Sequence, residues 1–185
     1  ITKWNLSRFA ECLIPLIDED EDKAVKSATE IIETFGKKYE EKWLKMMRTK
    51  LGLLGEDNKD KFLIVDLLTW MHQNKVDYTN TFCHLMNLKD YDDGLYKADN
   101  FQKWKKNWLE RLKLNNNTQE NYTKLMRSVN PLVIPRNHNI ENALEKANES
   151  NLKPFYKLLE ILKAPYELQE NCLLYTSPSP RDDIS

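Results

Sequence analysis

Scarcity of glycine restricts this chain more than any other feature. Four glycines, Gly36, Gly52, Gly55 and Gly94, stand among 185 residues, where average usage would give about thirteen. Backbone N–H groups approach a phosphate closely only where glycines cluster, so a phosphate-cradling loop within this stretch is excluded. Tight hairpin turns also draw on glycine at positive φ, which argues against a hairpin-rich β fold. What the chain has instead is apolar residues at spacings of three and four almost throughout, with no long alternating stretch to compete. It reads as all-α, an irregular array of many helices.

Hydrophobic residues make up 41% and charged residues 31% of the chain, with a mean hydropathy of -0.70. That is enough to bury a core under a long, wet surface. The 28 basic and 29 acidic residues leave a net charge of -1, so no sequence-independent pull toward nucleic acid or an anionic membrane is expected. No stretch approaches the eighteen or so consecutive apolar residues of a membrane span. Cys12, Cys83 and Cys172 are odd in number and widely spaced, as expected of reduced thiols rather than a disulfide framework.

Residues 6–17 form the first expected helix, with Pro15 in its last turn. The acids at 18–22 then suit the N-terminus of a second helix through its dipole. That helix can be long, carrying Ala28, Ile32, Phe35, Tyr39, Trp43 and Met46 toward Leu51 and a terminating Gly52. Asp57 or Asn58 can cap a third, apolar on nearly all sides over 62–71 and therefore central to the packing. Asp77 can cap a fourth, with Tyr78, Phe82, Leu85 and Met86 on one stripe. Asp99 can cap a fifth, whose Phe101, Trp104, Trp108 and Leu112 read as core rather than as a base-stacking platform. A sixth helix, around 122–129, ends at Asn130-Pro131, because proline disfavours a helical residue before it. Residues 132–137, between Pro131 and Pro135, read as extended. Helices at 140–147 and 154–162 follow, with Pro154 in a first turn and Pro165 as a stop.

No active site is recognisable from residue types alone. His72, His84 and His138 are single and far apart, and no pair of ligands has metal-site spacing. Cys12, among Ala10, Leu13 and Ile14, reads as a buried, inert thiol. No serine has the flanking glycines of a nucleophile elbow. Catalytic, cofactor-binding and metal-binding residues are therefore all expected to be absent from this stretch.

The order of short motifs says more. Trp4-Asn5-Leu6 with Arg8 and Ala10 is followed by Lys50-Leu51-Gly52-Leu53, and then by Asp77-Tyr78-Thr79 with Thr81-Phe82. Trp104 and Trp108 with Arg111-Leu112 come next, then Met126, Asn130-Pro131, Arg136-Asn137, Ile140, Ala143 and Pro165-Tyr166. Over residues 4–170 this order resembles the C-terminal part of the selenoprotein O family. Cys83 and Pro135 depart from it, at positions where many members have arginine and leucine. The resemblance implies a kinase-like protein adenylyltransferase that transfers AMP from ATP to hydroxyl side chains of other proteins with magnesium or manganese, in a mitochondrial or cytoplasmic setting. It also implies that the catalytic residues lie upstream of Trp4. Residues 1–171 would then be the helical lower part of the kinase-like fold, structural support for an absent catalytic domain in cis and inactive alone.

The motif residues Trp4, Asn5, Asp77, Tyr78, Thr79, Asn130, Pro131, Arg136 and Asn137 are accordingly expected to be structural. Arg136 can present a bidentate fork to a carboxylate, bracing the extended segment with Asn137 against neighbouring helices. Residues 172–185 look like a translated sequencing adapter, foreign to the family and disordered by their Ser/Pro/Asp content. Alone, the chain is expected to be loosely packed or prone to aggregate, because the missing domain would cover apolar surface. The rival reading is an autonomous helical module that binds partner proteins without catalysis.

Overall fold

The computed structural model describes residues 1–87 and 94–168. It divides into two compact units, Ile1–Met46 and Met47 onward, and every regular element among the described residues is helical. None of those helices is long and apolar enough to cross a membrane.

In the first unit, α1 (Thr2–Ile17) packs on α2 (Glu21–Glu33). Within the acidic run Asp20 is the residue that caps α2, its carboxylate accepting the Lys23 N–H at 3.2 Å. That hydrogen bond holds its pKa below the usual carboxylate value. Ala24 and Ala28, one turn apart, are the buried residues of α2. The single long helix expected next is broken at Thr34, after which α3 runs from Phe35 to Lys50. Two local causes coincide there. The Thr34 hydroxyl bonds back to the Ile31 carbonyl at 2.7 Å, and Gly36 weakens the first turn that follows. Cys12 is also not the buried thiol expected. It is exposed, because it lies about a third of a turn from the half-buried stripe of Leu6, Ala10, Leu13 and Ile14.

The second unit begins in the last turn of α3. Leu53 N–H reaches the Arg48 carbonyl and Gly52 N–H reaches that of Thr49, the paired bonds of a helix ending in a left-handed residue. Gly52 takes that conformation at φ +70, and a Cβ there would meet Tyr122 Cβ at 2.9 Å and the Tyr122 carbonyl at 3.0 Å. Gly52→Ala is therefore expected to lose at least about 1 kcal/mol, read as a lower denaturant midpoint with an unchanged slope.

Among the described residues this unit adds six α-helices, α4 (Asp60–Gln73), α5 (Tyr78–Leu85), α6 (Asp99–Leu112), α7 (Gln119–Arg127), α8 (Asn137–Asn148) and α9 (Lys153–Lys163), with short 3-10 helices at Leu95–Lys97 and Leu114–Asn116. Ile64, Leu67, Trp70 and Met71 of α4 are buried, as its apolar run predicts, whereas Phe62 at its start is 71% exposed. The stripe of α6 is core throughout. Trp70 lies 4.5 Å from Phe101, Phe101 lies 5.6 Å from Trp104, and Trp104 stacks on Trp108 at 5.9 Å.

The two α6 indoles each make a specific bond, Trp104 Nε1 to the Leu63 carbonyl at 2.8 Å and Trp108 Nε1 to the Leu51 carbonyl at 2.9 Å. Trp108→Phe keeps a ring but orphans the buried Leu51 carbonyl, with an expected loss of about 1–3 kcal/mol by thermal or chemical unfolding.

Candidate functional site

Asn130-Pro131 ends the helical path after α7, and the next residues run extended without joining a sheet. Leu132 and Val133 N–H groups both point at the Pro165 carbonyl, at 2.7 and 3.4 Å. Prolines at 131 and 135 lack donors, so a full ladder cannot form. The segment is one residue shorter than the sequence suggests, because Asn137 already starts α8. Arg136 occupies the N-cap position of that helix in extended backbone, its carbonyl accepting from Asn139 and Ile140.

The Arg136 side chain turns inward and is 3% exposed. Its Nη1 donates to Asp77 Oδ2 at 2.7 Å and its Nη2 to Asp77 Oδ1 at 2.9 Å. Asp77 in turn caps α5, its Oδ1 accepting the Asn80 N–H at 2.7 Å. One bidentate ion pair thus ties the start of α5 to the start of α8.

Lys50, at the end of α3, links to the same place. Its carbonyl accepts Asn130 Nδ2 at 2.8 Å, and its ammonium lies 5.3 Å above the Tyr78 ring and 4.7 Å above Phe82. Burial lowers the Lys50 pKa, with the nearby Cys83 acting in the opposite direction. The Tyr78 hydroxyl points at Met47 Sδ.

The structure therefore brings together Asp77, Tyr78, Asn130 and Arg136, with Thr79, Pro131 and Asn137 as their chain neighbours. Trp4 and Asn5 belong to α1, in the first unit. Trp4 is 65% exposed, with the Arg8 guanidinium 5.8 Å from its ring.

A second ionic cluster escaped the sequence reading. Asp60, fully buried at the start of α4, accepts Arg48 Nε at 2.7 Å, Arg111 Nε at 2.7 Å and the Asp57 N–H at 3.0 Å. Arg111 also reaches the Leu54 carbonyl through both terminal nitrogens at 3.2 Å. Burial raises the Asp60 pKa, but the hydrogen bonds from Arg111, Arg48 and the Asp57 backbone outweigh it and hold the group below its ordinary value. Asp57 does not cap α4 as expected; its carboxylate closes the turn before it, on Lys59 N–H. The available signal was Arg111, three residues after Trp108 on the core stripe. A guanidinium on a buried face requires a buried anion.

Both carboxylates accept hydrogen bonds from arginine, so neither is placed to give or take a proton. Their chemistry is cross-linking. Cys83 is buried, and His84 stacks on Tyr96 at 4.1 Å. Among the described residues no three His, Cys, Asp or Glu side chains are grouped to hold a metal ion.

Comparison with known proteins gives the chain its relatives. The family model for protein adenylyltransferase SelO matches residues 1–163. A protein nucleotidyltransferase YdiU of Pelagibacter ubique is 53% identical over 183 residues, 99% of this chain and 38% of its own. Proteins of the same description from Alcanivorax borkumensis and Clostridium perfringens are 44% and 41% identical over 180 residues, 97% of this chain and 37% of theirs. The chain thus spans less than two fifths of the length of these curated relatives.

Proposed function

The chain belongs to the protein adenylyltransferase SelO family, and from that premise we propose that it is the C-terminal helical part of a longer enzyme. That enzyme transfers AMP from ATP to hydroxyl side chains of target proteins. ATP and the magnesium or manganese ion are held by the remainder of the protein, a kinase-like domain in cis. This part carries no catalytic group and supports the fold. The observation that carries the structural role is the use made of Asp60 and Asp77, whose carboxylates are committed to arginines rather than presented to a ligand.

The test is AMP transfer from ATP labelled in its α-phosphate, with magnesium or manganese and a protein acceptor. This chain alone is expected to transfer nothing, and the longer protein to label its targets. Transfer by the isolated chain would overturn the assignment. The interaction-module reading predicts instead that the longer protein is also inert.

Residues 172–185 lie outside the described residues, and their adapter origin stays a proposal. The match to the Pelagibacter relative covers 183 residues and so runs into them, which makes a genomic read through Cys172 the deciding check. A read that continues unchanged would end that proposal.

A further inference from the structure

Along α4 and α6 the second unit carries an open groove of about 620 Å³, within the size range of binding clefts. Its lining residues recur at helical spacing, Phe62, Leu63 and Asp66 on α4 facing Asn107 and Glu110 on α6, so the groove runs along the helices. The apolar part is open to solvent, with Phe62 71% and Leu114 46% exposed.

The charged part is one-sided. Asp57, Asp66 and Glu110 line it against Lys59, while Arg111 is already engaged by Asp60. Among the described residues neither Asp66 nor Glu110 makes an ion pair.

We propose that this groove docks a basic amphipathic polypeptide segment, an apolar side chain seated beside Phe62 and Leu114 and lysine or arginine between Asp66 and Glu110. An apolar strip flanked by carboxylates is the complement of a helix with leucines on one face and lysines beside them. The same carboxylates repel phosphates, which sets nucleic acid and anionic lipid aside. Asp60 and Arg111 also line the groove, but the proposed contacts use neither, and the docking reading does not depend on the proposed enzyme.

The experiment titrates the whole chain into a fluorescent helical peptide with leucine on one face and lysine on the other. A matched peptide has glutamate for every lysine. The lysine peptide is expected to bind, more weakly as salt rises, and the glutamate peptide not to bind. Asp66→Lys with Glu110→Lys should weaken binding about tenfold or more, and Phe62→Ser should weaken it as well. Glu30→Lys, on α2, should leave it unchanged. All four side chains are exposed, so an unaltered unfolding transition checks that the variants fold. Equal binding of both peptides, no binding of either, or an affinity indifferent to the paired reversal at 66 and 110 would overturn the proposal.

Discussion

Replacing Asp60 by alanine is expected to cost about 3–5 kcal/mol of folding stability. The carboxylate is fully buried, and its removal leaves Arg111 without an anion and Arg48 with only the exposed Glu56, at 3.1 Å. Arg111 is 8% exposed in its side chain and Arg48 14%, so water cannot take over. The loss should spread to the loop after α3, because Arg111 also holds the Leu54 and Gly55 carbonyls. Arg48→Ala should cost less, since its charge lies nearer solvent and Asp60 keeps Arg111.

The same group gives a pH signature. Its folded pKa is depressed, so its contribution is complete above the unfolded carboxylate value of about 3.9 and is lost as pH falls through the folded pKa. Asp60→Asn should therefore differ most from the parent near neutral pH, and the gap should narrow below about pH 4. A constant gap in urea midpoints across that range would contradict the assignment.

Asp77→Ala is expected to cost a comparable amount, about 3–5 kcal/mol, through two losses that add. Removing the helix cap of α5 accounts for about 1 kcal/mol. The rest comes from stranding Arg136, whose guanidinium is almost fully buried. Arg136→Ala alone spares the cap but leaves Asp77 without its partner. A double-mutant cycle in urea unfolding should give a coupling of about 1–3 kcal/mol between the two. Arg136→Lys should recover only part of it, because an ammonium cannot reproduce the two parallel bonds at 2.7 and 2.9 Å. Strict additivity would mean that the ion pair does not join α5 to α8.

These two ion pairs also show how far the sequence could be read. Asp77 was legible as a cap, because an aspartate before an apolar helical stripe has a local function. The fork of Arg136 was legible as needing a carboxylate, but not which one, since the partner is far away in the chain. Asp60 left no local mark. It looks like any acid in a first helical turn, and only Arg111 on the Trp108 stripe points to an anion beneath. The break at Thr34 was hidden because the apolar spacing runs through it, while the competing threonine hydroxyl interrupts the backbone. Cys12 is exposed for a related reason: its neighbours in sequence are not its neighbours in space, because a helix turns about 100° per residue.

This helical part is proposed to brace a nucleotidyltransferase without performing its chemistry. The most direct measurement follows unfolding midpoint and AMP transfer together in the longer protein carrying Arg136→Ala. The account predicts a clearly lower midpoint with a transfer rate per folded molecule within about twofold of the parent. An unchanged midpoint with transfer abolished would place Arg136 in the chemistry and contradict it.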